Sequence, residues 1–455
     1  MKKSVAKMIT ALILAYTMDA TGACYAASGE SNSPSLTSQV YLIRQVNIQG
    51  NKRLSAGDIR FVLPALQEGK LLDVRKLSEQ VLAANENPSR SLSVNLTPLG
   101  NGSYDATVSV KEGKFNTTFL TYDNTGTALT GRTRLTYGHV QYGLGPAGNH
   151  TAMASYTSTS NNEKVKQFYV NYRVPLPRAG DELYFAYYHS NNELNYVADI
   201  FNTRGAGEVL SLHYVHNISR SDRIKSAVDI GIERHKNTSE IKPDGMDTDL
   251  GHRVNDMPLS ITYMYANRSR TDVTAFSLSQ VSNIQWGSLN DDAAFNVSSG
   301  EGAKANFNLQ RATALYQHRF ASGWVLNTVA EGQHTREPLI SMEQFGLGGA
   351  HSVRGFDERH VYGDKGYRAS VELYTPAFGP KDHVRGLVFF DGGKTYSFKG
   401  TGETTTQQIS SWGFGLRWNV NKTLSAAADC AYVINGTDTT PPNTRKLHFS
   451  VTAVF

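Results

Sequence analysis

Cysteine is almost missing from this 455-residue chain: Cys24 and Cys430 are its two thiols. Residues 1–26 read as a cleavable secretory leader, in which Lys2, Lys3 and Lys7 precede the apolar run 8–16 and Cys24 and Ala26 supply small residues before the cut. A retained anchor is the alternative, and the run is too short for it to cross a bilayer. A lipid-modified Cys24 is disfavoured because Thr21 stands where such sites usually carry Leu. Cleavage leaves Cys430 alone, which excludes an intramolecular disulfide and a zinc site built on cysteines.

Charge of one sign is also scarce. The formal net charge is +5, and loss of three Lys and Asp19 with the leader brings it to +3 (5 − 3 + 1), too mild to imply a nucleic-acid partner. No run of 18 apolar residues follows the leader, so no transmembrane helix is expected. Beyond Asn87 there are no long apolar stripes at helical spacing. Catalytic signatures are missing too: no His-Glu-x-x-His, no Gly-x-Ser-x-Gly and no phosphate loop, and His351 occupies the third glycine's place after Gly346-x-Gly. The thirteen histidines are scattered. Neither enzyme activity nor a metal or cofactor is expected. A hydrolase assembled from lumenal Asp, His and Ser is the one enzyme reading left open.

What the chain does have is alternation, carried by 23 Tyr, 19 Phe and 40 Gly. Over 114–455 apolar side chains recur at every second position. Trp412, Phe414, Leu416, Trp418 and Val420 share one face, against Gly413, Gly415, Arg417 and Asn419. Ile224, Val228, Ile230 and Ile232 oppose Lys225, Asp229 and Glu233; Phe168, Val170, Tyr172 and Val174 oppose Asn171 and Arg173. Sixteen such segments are expected, at 115–124, 129–141, 150–159, 165–175, 182–190, 208–218, 222–236, 256–267, 271–283, 304–319, 324–336, 366–376, 384–396, 408–419, 423–434 and 445–455.

The connections separate a membrane barrel from a soluble sandwich. Links after even-numbered segments are short, as at 219–221, 268–270 and 420–422, whereas those after odd ones are often long and polar, as at 191–207, 237–255, 284–303 and 337–365. Short turns at one rim and long loops at the other mark an outer-membrane barrel. The fold class expected is therefore mainly β, a 16-stranded antiparallel transmembrane barrel. Arg311 breaks the pattern by falling in phase with Phe307 and Leu309; a rim position or a bulge is the expected explanation. The last segment alternates to a terminal aromatic, Phe455, as bacterial barrels commonly do when presenting their final strand to the assembly machinery.

Ahead of the barrel, 27–40 is a Ser-rich polar linker, and 41–113 reads as a small α+β domain. Val46 and Ile48 suggest a strand. Ser55 and Asp58 resemble a capping box before Ile59, Val62 and Leu63, with Pro64 as the stop. A second helix follows Asp73, with Val74, Leu77, Val81 and Leu82 on one face, and ends before Pro88. The strands 92–96 and 104–110 join through Gly100-Asn101-Gly102.

Three stretches together resemble the two-partner secretion transporters, the haemolysin and adhesin exporters of the POTRA-plus-barrel superfamily. The 346–356 stretch, Gly-Leu-Gly-Gly-Ala-His-Ser-Val-Arg-Gly-Phe, is similar to that family's inward-folded loop with its Val-Arg-Gly-aromatic tip. Phe389-Phe-Asp-Gly-Gly393, in the thirteenth segment, matches its Phe-x-Asp-x-Gly motif. The 77–88 stretch, ending Asn-Glu-Asn-Pro, resembles the passage from helix to strand in the POTRA domain next to the barrel. Asp123-Asn-Thr-Gly126 and Tyr172-Arg-Val-Pro175 add weaker support.

The resemblance implies an outer-membrane pore that exports a partner polypeptide delivered unfolded to a periplasmic POTRA domain. It also implies a loop latch of Arg354, Gly355 and Phe356 against Phe389, Asp391 and Gly393. Alternation turns Asp391 to the lumen, where a guanidinium can take its carboxylate in a two-pronged contact. The substrate is expected on the edge strand 92–96, over a groove lined by Leu77, Val81, Leu92 and Val94, with outward N–H groups at Ser93 or Asn95. The region from 27 to the barrel holds room for one POTRA domain, where the family usually has two, and its linker shows no helical pattern for a plug. Plugging and grip on the substrate are therefore open. The runner-up function is a barrel-assembly or insertase factor, and a passive porin is third. The barrel-assembly machinery and outer-membrane lipid are the other expected partners.

Overall fold

A computed structural model describes residues 41–126, 131–159, 166–177, 180–190, 207–237, 253–379, 383–398 and 402–455. The expected leader and linker, 1–40, lie outside the described residues.

Residues 41–112 form an α+β domain: β1 (Tyr41–Gln49), α1 (Ala56–Val62), β2 (Leu71–Leu72), α2 (Val74–Asn85), β3 (Arg90–Pro98) and β4 (Ser103–Glu112). The short β2 between the helices is an element the sequence reading did not contain. It adds an antiparallel edge to β1, giving the sheet order β2-β1-β4-β3. Helix α1 starts on a reciprocal cap between Ser55 and Asp58, and α2 on the Asp73 carboxylate, which accepts from Lys76 N. One side of the sheet and both helices close over Ile43, Val46, Ile59, Leu77, Leu92 and Val108.

The barrel runs through β5 (Asn116–Asp123), β6 (Arg134–Leu144), β7 (His150–Thr159), β8 (Lys166–Leu176), β9 (Asp181–Ser190), β10 (Gly207–Arg220) and β11 (Ile224–Asn237). It continues in β12 (Val254–Asp256), β13 (Pro258–Arg268), β14 (Asp272–Asn283), β15 (Asn308–Arg319) and β16 (Val325–Thr335). Two short strands, β17 (Phe345–Leu347) and β18 (Val361–Gly363), pair only with each other, within a loop. The wall is completed by β19 (Lys365–Tyr374), β20 (Val384–Phe398), β21 (Thr404–Asn419), β22 (Leu424–Asn435) and β23 (Arg445–Val454). β12 and β13 both pair with β11 and act as one interrupted strand, so the closed antiparallel wall has sixteen strands.

Closure falls between β23 and β5, over the five pairs from Ser450–Asp123 to Val454–Phe119. The Asn124 side chain extends that seam, donating to Leu447 O and accepting from Phe449 N. Among the described residues no helix is long and apolar enough to cross a membrane. The outward apolar face does so instead: Val388, Phe390, Trp412, Phe414 and Trp418 are exposed, while Phe389, Asp391 and Ser411 are buried within.

Of the two explanations expected for Arg311, the rim position holds and the bulge does not: it is the fourth residue of β15, near the loop end of the strand. β15 pairs with β14 and β16 without a register shift, so no bulge resets its phase. Phe307, Leu309 and Arg311 all face inward. The two apolar residues there pack not on lipid but under a helix, α3 (Asp292–Ser299), whose Phe295 joins Tyr188, Val254, Leu339 and Ile340 in a cluster inside the barrel. Arg311 reaches Gln333 and Glu343.

The α+β domain is tied to the barrel by charge. Glu86, at the end of α2, lies 2.7 Å from Arg173 and 3.0 Å from Lys225, with Arg220 at 3.8 Å. Glu182 takes Arg173 and Arg220 from the barrel side, at 2.7 and 2.6 Å. Arg90 donates to Gly148 O at 3.0 Å and to the Asn149 side chain. Burial alone would raise the Glu86 carboxyl, but Lys225, Arg220 and Arg173 outweigh it and hold the group below its ordinary value. The contribution of Glu86 is thus complete above the ordinary carboxylate range and is lost only as pH falls through the depressed value. Glu86→Gln is expected to broaden the distance between spin labels on α1 and on the turn at 221–223 at neutral pH. The wild type should match it only in acid. An unchanged distribution in Glu86→Gln would show that the Arg90 contacts carry the junction.

Candidate functional site: an arm held across the lumen

The long loop between β16 and β19 turns into the barrel. Its arms β17 and β18 run antiparallel, Phe345 opposite Gly363 and Leu347 opposite Val361. Between them the chain reverses over Gly348, Gly349 and Gly355, all with positive φ. Gly355, at φ +98, passes so close to the wall that a Cβ would lie 3.1 Å from Val433 and 3.4 Å from Ala431, and only glycine takes that conformation freely.

The turn delivers Arg354 to Asp391. Nε donates to Oδ2 at 2.7 Å, Nη2 to Oδ1 at 2.9 Å, and the Arg354 backbone N–H to Oδ2 at 3.1 Å. Two planar N–H groups on two carboxylate oxygens fix orientation as well as distance. The guanidinium also lies over the Phe389 ring, 3.5 Å from its centroid. Phe389 has space for this because Gly413 stands opposite it; a Cβ at 413 would lie 2.4 Å from the ring. Gly393 serves likewise beneath Leu347, whose Cδ1 would meet an added Cβ at 2.8 Å. Phe356 is fully buried with Val353, Leu347, Ile409 and Val433. The structure thus brings all six residues of the expected latch into one region.

Several partners of this site carry no motif. Glu372 accepts from Arg354 Nη1 at 2.8 Å, and Asp429 stands 3.5 Å from the same nitrogen. Ser370 donates to Asp391 Oδ1 at 2.6 Å, and His448 Nε2 accepts from Gly355 N at 3.0 Å. Arg417 grips Asp429 at 2.7 and 2.9 Å, and Arg368 grips Glu331 at 2.7 and 2.6 Å. The available signal was a polar residue on the inward phase of a strand. It is one bit per residue and gives no pairing.

The expected groove in the α+β domain is corrected in detail. β3 does lie at the sheet edge beside α2. Leu77 and Leu92, however, are core residues at 6% and 3% exposure, so they underlie that edge and do not line an open groove. Val81 and Val94 are half-buried. The outward N–H groups are not those of Ser93 and Asn95. Leu92 N donates to the Asn85 side chain at 2.6 Å and Leu92 O accepts from it at 2.9 Å. Leu92 therefore faces away from β4, and with period 2 so do Val94 and Leu96. Phe455 is exposed and paired through its backbone with Thr118.

A closed barrel with an apolar exterior, a charged interior and its own loop folded through the lumen defines an outer-membrane barrel protein. Comparison narrows the class. Residues 102–418 match the family described as haemolysin secretion/activation protein ShlB/FhaC/HecB, and the chain belongs to that family, whose members are transporters. The outer membrane transporter CdiB of Dickeya dadantii (strain 3937) is 23% identical over 368 residues, or 78% of this chain and 62% of that protein. The match thus spans less than two thirds of that relative's length. In fold, the chain is similar to CdiB from Escherichia coli (TM-score 0.74, 20% identity, covering 91% of this chain and 76% of that one). It is also similar to CdiB from Acinetobacter baumannii (0.70, 16%, 92% and 74%). BamA from Haemophilus ducreyi lacking POTRA domains 1–3 scores 0.58 at 13% identity, covering 91% and 85%.

Removing Arg354 leaves Asp391, Glu372 and Asp429 buried together, a loss of about 3–5 kcal/mol for a broken buried pair. In a Cys430→Ser background, a cysteine at the fully buried Val353 should react with a soluble maleimide roughly a hundredfold faster or more once Arg354→Ala is added. Asp391→Asn should act alike, with the double variant little worse than either. Additive effects, or an unchanged rate, would count against the latch.

Proposed function

We propose that this chain is the outer-membrane pore of a two-partner secretion system, with residues 41–113 as its periplasmic POTRA domain. The observation that carries this reading is the arm tip held by Arg354 on Asp391. It obstructs a lumen of sixteen strands, which is wide enough for an extended polypeptide once the arm withdraws. The cargo is a partner polypeptide, unfolded when it reaches the α+β domain, and export draws on its folding outside. In this reading the chain has no catalytic role; the barrel-assembly machinery and the surrounding lipid are its other partners. An assembly-factor role has less support, since the likeness to BamA is one of fold at lower similarity.

For the cargo's first contact we infer strand addition to β3. Main-chain pairing suits an unfolded chain because it ignores most side chains. Asn85 already occupies the edge groups of Leu92, which leaves the stretch from Val94 to Leu96 as the docking edge. Proline at 96 removes an outward N–H, whereas proline at 93 removes one from the β3–β4 ladder. Leu96→Pro should abolish export of the partner polypeptide, and photo-cross-linking to it, while the barrel keeps its heat-modifiable mobility. Ser93→Pro should unfold the domain. Normal export in Leu96→Pro would place recognition elsewhere; export failing with cross-linking intact would separate docking from passage.

A further inference from the structure

At the root of the same loop a second set of charges is buried against the wall. His213 pairs with Gly231 across β10 and β11, and a Cβ on Gly231 would come within 2.3 Å of the imidazole. The missing side chain lets the ring lie beside Asp229, with Nδ1 3.0 Å from Oδ1 and Nε2 3.5 Å from Glu233 Oε1. Two residues after Glu233, His235 uses both nitrogens. Nε2 is 2.7 Å from Glu233 Oε2, while Nδ1 faces Asp256 Oδ1 at 3.0 Å and Glu343 Oε1 at 3.6 Å. Arg311 holds the other Glu343 oxygen at 3.1 Å. His235, Asp256 and Glu343 are all buried.

Among the described residues, four carboxylates here lie buried close to one guanidinium and two imidazoles. The donor atoms of His235, Asp256 and Glu343 lie within 4.8 Å of one another. Ligands at about 2.0–2.2 Å from a tetrahedral zinc stand roughly 3.3–3.6 Å apart; of the two separations from His235 Nδ1, 3.6 Å lies at the upper end of that range and 3.0 Å a few tenths of an ångström below it. A ligating histidine ordinarily gives its second ring N–H to a carboxylate, which fixes the ring; Glu233 stands in that position.

We propose that His235, Asp256 and Glu343 bind one first-row divalent cation, zinc being the best match to an imidazole and two carboxylates. The ion takes the place of a proton on His235 Nδ1, which is released to solvent. Glu233 and Arg311 are positioning residues that orient the ligands from behind. Asp256 and His235 belong to the wall, whereas Glu343 precedes the arm strand β17. The ion therefore staples the loop's root to the barrel, independently of Arg354 at its tip.

The test uses the full chain in detergent, free of any affinity tag, stripped with a chelator and titrated with Zn²⁺, and with Co²⁺ for its spectrum. One ion per chain is expected, with tetrahedral Co²⁺ bands. His235→Gln and Glu343→Gln should each weaken binding at least tenfold, and Glu233→Gln by about 10–100-fold. Glu343→Gln lies on the loop and spares the strand ladder, and heat-modifiable mobility reports the barrel in every variant. Absence of a stoichiometric site in the wild type, or equal binding by the wild type and Glu343→Gln, overturns the proposal and leaves His235 as an imidazolium among carboxylates.

Discussion

Hydrocarbon offers the peptide backbone no hydrogen bonds, and the rest of this structure follows from that. A sheet in lipid must close on itself so that every strand finds two neighbours. Here β23 meets β5 over a short seam, and the Asn124 side chain supplies backbone-like contacts where that seam ends. Closure then divides each strand into a lipid face and a lumen face with period 2. Acids and bases cannot face lipid, so they collect inside, where register alone decides which of them meet.

The arm shows how register becomes a site. Phe389 and Asp391 are neighbours on one inward face, and Gly413 on the next strand is what lets the Phe389 ring lie flat beneath the guanidinium. Asp391, Glu372 and Asp429 come from three strands and converge on Arg354. Arg417 of the wall answers Asp429, but three carboxylates gathered this way still repel one another unless a further cation arrives. The loop supplies it, and the apolar set of Phe356, Val353 and Leu347 against Ile409 and Val433 keeps the tip from sliding. Charge gives the tip its address, and packing gives it its depth.

How much of this was legible depended on distance along the chain. The sixteen strands could be read because alternation is local, and their limits shifted by only a few residues. The Arg354–Asp391 pair was reachable because each half sits in a recognisable stretch. The failures share one cause. Leu309 and Phe307 look lipid-facing until α3 and Phe295 fold over them from within. Leu77 and Leu92 looked like a groove because neither helical spacing nor strand alternation says whether a face meets a packed core or solvent. An outward N–H was expected at Ser93 or Asn95, yet the parity of β3 is set by its pairing to β4 and by Asn85, which no local pattern encodes. Histidines 213 and 235 look scattered, and only the strand register places them among Asp229, Glu233 and Asp256.

Three buried charge groups join parts that the strand ladder leaves unjoined: Glu86 links the α+β domain to the barrel, Arg354 links the arm's tip to the wall, and Glu343 links its root. Apolar contacts also hold the arm, and exposing them to water costs free energy in proportion to area. Ions behave differently. Once a pair separates, water solvates each partner, so much of the lost attraction is recovered as hydration. At the arm's tip the two act together, the ion pairs fixing direction and the apolar cluster of Phe356, Val353 and Leu347 adding burial. The bidentate geometry at Asp391 fixes the orientation of the guanidinium in its seat. The same asymmetry makes a lone charge left in a closed seat costly, so Arg354 and the carboxylates of Asp391, Glu372 and Asp429 are stable together and costly to part while the seat stays closed.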